Sequence, residues 1–261
     1  MRGLKRLWAP NKLARIKMAA ADPGFAAIEP SVRVAHHNYL VGTRNPTVLA
    51  PIGLPDATAD WIRQKYKAAP KSLALDWITA ARDDHDLVAC PMCGGTSVAT
   101  LEHVLPKANY PEFSVLSFNM VPSCDGCQRR RSNKGAQYEF IHPYFDLGIL
   151  ASLRLTVTFT PPYERVLFKL HPRGLTGTDL QRTQRHLEES VPPRLFRRHM
   201  HALWGRWRGR LFGEAVDASR TRISEELVEA EFEGTNSWDA AFLRGLSQDL
   251  PAISWMASTP R

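Results

Sequence analysis

The sequence predicts an α+β protein in which a small cysteine-containing module is embedded among mostly helical flanks. Three observations predict this class. All four cysteines lie between residues 90 and 127, residues 153–159 alternate apolar and polar side chains as a strand does, and the residues after Gly177 show helical periodicity. With 261 residues, 44% of them apolar, the chain is long enough to bury a substantial core.

The chain divides into three predicted regions, residues 1–86, 87–147 and 148–261. Residues 1–50 show no clear periodicity, so we expect an extended or irregular arm. Helices are predicted over 56–67, with Asp56 as its cap, and over 72–82. In the last region, residues 153–159 and 165–170 predict a β-hairpin. Helices are predicted after it at 178–190, 193–215, 219–232 and 237–247.

The N-terminal residues bear on the location of the protein in the cell. Residues 1–18 are basic and contain no acidic side chain, but they lack the continuous apolar stretch of a secretory signal. Pro10 also interrupts the amphipathic pattern of a transit peptide. No segment reaches about 18 uninterrupted apolar residues, the length of a membrane span. We therefore expect a cytoplasmic protein with no membrane partner.

The charge of the chain favours a polyanionic partner, since the formal net charge is +8. The distribution is uneven. Residues 192–212 contain six arginines and no acidic side chain, whereas residues 225–233 contain five glutamates. Two interpretations stay open at this point. The two runs are solvated or mutually paired helix faces, or the arginine run is a phosphate-facing surface.

The spacing of the cysteines predicts a zinc site. Cys90 and Cys93 form one C-x2-C pair, and Cys124 and Cys127 form a second pair after thirty intervening residues. Such a pair, here called a knuckle, lets two thiolates reach one ion from a single tight turn. Gly94 allows the backbone to approach the sulfurs closely. Four cysteine ligands fill a tetrahedral zinc ion, so this Zn²⁺ would be structural rather than catalytic.

Two other uses of the cysteines are less consistent with the sequence. Two disulfides would need an oxidising compartment, and nothing in the sequence directs the chain to one. A redox C-x2-C pair is normally joined to a βαβ pattern, which the neighbouring residues do not show. Zinc is the interpretation that uses all four cysteines together.

The residues between the knuckles carry groups suited to phosphodiester cleavage. Glu102 and His103 are adjacent. Cleavage needs a base to activate water and a cation to neutralise charge on the phosphate. A carboxylate oxygen suits a hard cation such as Mg²⁺, and an imidazole suits a base that works near neutral pH.

At this point the sequence resembles the HNH endonuclease family, whose ββα-metal fold also occurs in a four-cysteine zinc-bound form. The resemblance covers residues 90–135, about fifty residues. It consists of the acidic residue and histidine followed by Pro106-Lys107, an Asn-apolar-x-Pro-x-Cys stretch that begins at Asn119, and a basic helix that opens with the second knuckle.

The resemblance implies specific roles. His103 would be the general base, and Glu102 would bind a catalytic Mg²⁺ or Mn²⁺ ion. Asn119 would tether the loop and orient the histidine. The family usually has His or Asn just after the second knuckle, where this chain has Gln128, so either Gln128 or Asn133 would complete the catalytic metal site. Contacts to nucleic acid would come from Lys107, Arg129, Arg130, Arg131 and Lys134.

These roles imply an endonuclease that hydrolyses phosphodiester bonds in DNA, although the sequence does not separate DNA from RNA as substrate. The alternative is a catalytically degenerate zinc module that binds nucleic acid or a partner protein. The resemblance also suggests a bacterial defence or mobile-element effector. Because the chain has no glycine-rich phosphate loop, any dependence on ATP would require a partner ATPase subunit.

Overall fold

A computed structural model describes residues 1–6, 9–41, 49–83, 87–96, 98–127 and 140–260. Over these residues the protein is a mixed α/β structure, mostly helical, with two small antiparallel sheets. The mixed class agrees with the α+β prediction, while the ββα-metal arrangement stays a prediction. No helix in the described ranges combines the length and the apolar character needed to cross a membrane.

The N-terminal region is helical, which contradicts the expectation of an irregular arm over residues 1–50. Helix α1 spans Asn11–Ala21 and helix α2 spans Pro23–Val41. Phe25, Val32 and Tyr39 recur every seven residues on the buried face of α2. Pro30 within this helix hides the pattern from a sequence-based assignment, because proline usually ends a helix.

Helix α3 spans Asp56–Ala68, close to the predicted bounds. Asp56 is its first helical residue, and Pro55 at the cap position makes no side-chain cap bond, so the predicted capping role is wrong. The predicted helix over 72–82 is only partly correct. Its first turn is a 3₁₀ turn that ends at Ala74, a residue with a φ of 56°, and helix α4 then spans Trp77–Asp83.

The first sheet contains three of the residues predicted to be functional, Glu102, His103 and Cys124. Strand β1 (Val98–His103) pairs antiparallel with strand β2 (Met120–Cys124). At one end of this hairpin Val98 pairs with Cys124, and we call it the cysteine end. At the other, the histidine end, His103 pairs with Met120. The two ends are on the order of 13 Å apart along β2. A helical turn begins at Asp125 and is described as far as Cys127.

The C-terminal region agrees closely with the prediction. Helix α5 (Leu147–Ser152) leads into strand β3 (Arg154–Thr160), which pairs antiparallel with strand β4 (Leu167–Arg173) and confirms the hairpin. The helices that follow are α6 (Gly177–Ser190), α7 (Pro193–Leu211), α8 (Val216–Gly234), α9 (Trp238–Leu246) and α10 (Leu250–Ser258). Helix α10 was not predicted, although Asp249 caps its first turn.

Hydrophobic packing joins the first sheet to both flanks. The four cysteines share one buried cluster with β3, α7, α9 and α10. Leu101 and Met120 belong instead to a cluster formed with the N-terminal helices. The connection between β1 and β2 packs on α2 in a third cluster. The cysteine end therefore packs mainly on the C-terminal region, whereas the histidine end packs on the N-terminal helices and, through Val104, on the C-terminal cluster as well. That residues 87–147 form a separate module stays a prediction.

Candidate metal centre and the histidine end of the hairpin

The four cysteines meet at the cysteine end. All four are buried, and their sulfur atoms lie within 4.8 Å of one another. The Sγ atoms of Cys90 and Cys127 are 3.9 Å apart, and those of Cys93 and Cys124 are 3.7 Å apart. These separations are far longer than the roughly 2.05 Å of a disulfide bond, so the cysteines are free thiols.

The spacing of the sulfurs fits a tetrahedral ion. A zinc–sulfur bond of about 2.3 Å places the four sulfurs of a regular tetrahedron roughly 3.8 Å apart. Four thiolates in so small a buried volume would repel one another strongly without a cation. The cluster could therefore bind a zinc ion, as the spacing predicts, and such an ion would have no open coordination position.

Backbone groups in the knuckles point at the sulfurs. The N–H of Gly95 donates to Cys93 Sγ at 3.3 Å, and the N–H of Cys124 donates to Cys90 Sγ at 3.4 Å. Burial opposes ionisation of Cys90, but hydrogen bonds from the neighbouring thiols and this N–H lower its pKa well below the usual value. Gly94 has a φ of 81°, and a Cβ there would overlap the carbonyl oxygen of Asn236.

Residues far along the chain hold the first knuckle, and sequence reasoning missed them. Trp238 donates its indole N–H to the carbonyl of Cys93 at 2.8 Å. His186 bonds through Nε2 to the carbonyl of Met92 at 2.6 Å. These contacts connect α9 and α6 to the cysteines. The sequence gives no signal for them, because each partner is separated from the knuckle by more than ninety residues.

Glu102 and His103 lie together at the histidine end, where β1 finishes, and both are largely buried, with 8% and 4% of their surface exposed. The Nε2 atom of His103 lies 3.0 Å from the carbonyl oxygen of Ser114. Because a carbonyl can only accept, Nε2 carries the proton and Nδ1 keeps a lone pair. This is the protonation state that a general base requires.

The surroundings of His103 keep the imidazole neutral. Burial is the largest influence and lowers its pKa to about 3, although the bond to Ser114 acts in the opposite direction. The nearby cations of Lys107 and Arg82 lower it further. The ring is therefore uncharged throughout the neutral range, and it differs in this respect from an exposed histidine.

Asn119 is completely buried and ties the β1–β2 connection together. Its Oδ1 accepts the N–H of Leu105 at 2.7 Å, and its Nδ2 donates to the carbonyls of Leu105 at 3.0 Å and Phe113 at 3.3 Å. Phe113 precedes Ser114, whose carbonyl holds His103. Hydrogen bonds from Asn119 to the segment that carries Ser114 are what a role in orienting His103 would require. The role itself stays a prediction.

Two residues from the N-terminal helices also lie at the histidine end. The ring of Tyr66 meets that of His103 edge-on, with centroids 4.4 Å apart. The Nζ atom of Lys107 lies 4.2 Å from the centroid of the Tyr66 ring, and the guanidinium carbon of Arg82 lies 4.8 Å from that centroid. Tyr66 and Arg82 fall within the two helices predicted over 56–67 and 72–82, but neither was predicted to be a functional residue.

The remaining predicted site residues lie outside the described part of the chain. They are Gln128, Arg129, Arg130, Arg131, Asn133 and Lys134. The third metal ligand and the basic helix that would contact nucleic acid therefore stay predictions. Among the predicted residues that the structure describes, it places Glu102, His103 and Lys107 at the histidine end and the four cysteines at the other end.

The arginine run on α7 divides into two halves. Near its C-terminal end, Arg210 pairs with Glu226 of α8 at 2.9 Å, as expected if the two helices neutralise one another. Near its N-terminal end, Arg194, Arg197 and Arg198 are exposed and form no ion pair within the described ranges. The exposed arginines at the N-terminal end of α7 are available to a phosphate backbone.

Comparisons with known proteins add a partial similarity. No protein-family model matches the chain, and no solved structure matches it. A stretch of 65 residues is 40% identical to "Protein ea31" of Escherichia phage lambda. The match covers 23% of this chain and 22% of that protein, so it extends over less than a quarter of either. That name states no activity.

Proposed function

We propose that the protein is a metal-dependent endonuclease of the HNH type that hydrolyses phosphodiester bonds in DNA. The observation that carries the proposal is a neutral His103, next to Glu102 at the end of β1, whose Nε2–H is fixed on the Ser114 carbonyl. The buried cysteine cluster supports it, because the related family also occurs in a four-cysteine form.

In this proposal the zinc ion held by the cysteines fixes the second strand and the start of the following helix. A Mg²⁺ or Mn²⁺ ion at Glu102 would supply positive charge to the phosphate. Gln128 or Asn133 would complete its coordination. His103 would accept a proton from the attacking water at Nδ1, since Nε2 is committed to Ser114. Asn119 would hold the connection that carries Ser114.

The test is cleavage of supercoiled plasmid with Mg²⁺ or Mn²⁺ by the zinc-loaded protein. The variant His103→Ala should lose cleavage, because no other described side chain at the histidine end offers a basic nitrogen equivalent to Nδ1 of His103. A matched control is His36→Ala, since His36 is also 4% exposed and also bonds through Nε2 to a carbonyl, that of Glu112 at 2.8 Å. Undiminished cleavage by His103→Ala would refute the proposal.

The deep burial of His103 and Glu102 favours a second function, a non-catalytic zinc module that binds nucleic acid or a partner protein. The variant Gln128→His restores the residue type that the family usually has at the third position. If the site is only attenuated, this variant should cut faster than the wild type. If neither the wild type nor Gln128→His cuts DNA or RNA with either metal ion, the result favours the binding function.

A bacterial defence or mobile-element role, with a partner ATPase, is part of the same proposal. The similarity to a protein of a phage is consistent with a mobile-element setting. Purification of the tagged protein from its host, followed by identification of bound ATPases, tests the partner. Recovery of the protein alone would count against an ATP-dependent complex.

A further inference from the structure

Two cations share one aromatic ring beside the proposed reaction centre. Tyr66 of α3 is buried, with 7% of its surface exposed, and its hydroxyl donates to the carbonyl of Leu101 at 2.9 Å. Lys107 and Arg82 both lie within 5 Å of the centre of this ring. Each of the two cations is partly buried rather than solvated.

The loop that carries Lys107 is held in place by a third basic residue. Arg63, one turn before Tyr66 on α3, donates from Nε to the carbonyl of Lys107 at 3.0 Å and from a terminal nitrogen to the carbonyl of Ala108 at 2.9 Å. The position of the Lys107 backbone is therefore fixed by α3. Arg82 is tied to the same helix, because it donates to the carbonyl of Tyr66 at 3.1 Å.

Among the described side chains around the Tyr66 ring, cations outnumber carboxylates. Glu102 attracts Lys107, whereas Lys67 and Arg82 repel it, and burial adds to the cost of its charge. Within the described ranges neither Lys107 nor Arg82 forms an ion pair with a carboxylate. A metal ion at Glu102 would make the positive excess larger. Like charges that are held together by packing are stabilised by a bound anion.

We propose that Arg82 and Lys107, supported by Tyr66, form a phosphate clamp that binds the backbone of duplex DNA next to Glu102 and His103. The inference rests on the proposed function and adds its substrate-binding half. It adds Arg82 of α4 and Tyr66 of α3, which lie outside the region that resembles the nuclease family, to Lys107, which lies inside it. Arginine forks and lysine ammonium groups are the usual protein contacts to phosphate oxygens.

The test measures binding apart from cleavage. The full-length His103→Ala protein, zinc-loaded and without added Mg²⁺, binds a fluorescently labelled DNA duplex over a series of salt concentrations. In this background, Lys107→Gln and Arg82→Gln should each weaken binding several-fold. Each should also lower the slope of log affinity against log salt by about 1, the effect of losing one phosphate contact.

Lys65→Gln is the matched control. Lys65 is on the same helix, and its Nζ lies 4.8 Å from the ring centre of Trp61, so it forms the same kind of contact away from Glu102. It should leave the affinity and the slope unchanged. Tyr66→Phe, which keeps the ring, should bind like the parent, whereas Tyr66→Leu should bind as weakly as Arg82→Gln. Melting curves identify any variant that has unfolded.

The outcomes separate this inference from the proposed function. If Lys107→Gln and Arg82→Gln bind with the parent's affinity and salt slope, the clamp is wrong even if the wild type cleaves DNA. If both variants bind weakly but the wild type cleaves no nucleic acid, the clamp stands and the nuclease proposal fails. A greater effect on an RNA duplex than on DNA would overturn the choice of DNA as the ligand.

Discussion

The two ends of the first hairpin differ in the side chains that they bring together. At the cysteine end, four sulfurs face one another and the knuckle carbonyls accept bonds from α6 and α9. At the histidine end, a carboxylate, a neutral imidazole and two partly buried cations lie around one tyrosine ring. The first arrangement is closed and suits stability. Among its described side chains the second has more cations than carboxylates, and it suits an anionic ligand.

The largest expected effect comes from breaking the cysteine end. Cys90→Ser should abolish zinc binding and cooperative thermal unfolding, because metal binding and folding are coupled and structural zinc contributes on the order of 10 kcal/mol. Zinc content by mass spectrometry and melting followed by circular dichroism measure the two effects. A variant that keeps one equivalent of zinc and an unchanged Tm would show that the cysteines do not share one ion.

A smaller effect is expected from replacing a buried asparagine. One such residue lies near each end of the first hairpin. Asn119→Ala leaves the N–H of Leu105 and two carbonyls without partners, at a cost of about 3 kcal/mol. Asn236 is the matched position in the C-terminal region, since its side chain bonds to the N–H of Leu155 at 2.7 Å and the carbonyl of Leu153 at 2.9 Å. Asn236→Ala should cost a similar amount in urea unfolding.

The two amide variants should differ at the histidine end. Asn119→Ala should move the ring-proton NMR signals of His103, because the segment that carries Ser114 loses its tether. Asn236→Ala should leave those signals in place. An unchanged His103 spectrum in both variants would mean that Asn119 contributes stability alone and does not orient the histidine.

The smallest effect is a dependence on pH that arises from the N-terminal packing. Burial lowers the pKa of His36 to about 4. Since the unfolded histidine binds its proton near pH 6.5, the stability from the neutral ring is fully present above that value and is lost as the pH falls towards 4. Between pH 7 and pH 5 this loss amounts to about 2 kcal/mol.

His36→Gln removes the titrating group, so its free energy of unfolding should fall less steeply over the same interval. Urea titrations of both proteins at several pH values measure the two slopes. Because both proteins keep their cysteines, acid-induced loss of zinc affects them equally and cancels in the difference. Equal slopes would show that His36 is not buried as the structure has it.

The sequence predicted local features well and long-range ones poorly. The alternation over residues 153–159 is a property of neighbouring side chains, and it predicted β3 correctly. Helix α2 was missed because Pro30 interrupts its pattern, and packing against α1, α3 and the β1–β2 connection offsets that interruption. The predicted helix over 72–82 failed at Ala74. The apolar spacing continues past this residue, but its left-handed backbone ends the helical turn.

The sequence by itself determined which residues carry the chemistry: four thiols spaced for one ion, and an acidic residue next to a histidine. The tertiary structure decided which other groups join them. It placed Tyr66 and Arg82 beside His103, and it bonded Trp238 to the first knuckle. Ligand spacing within a turn is fixed by local covalent geometry, whereas contacts between distant segments depend on how the hydrophobic clusters assemble and leave no periodic trace in the sequence.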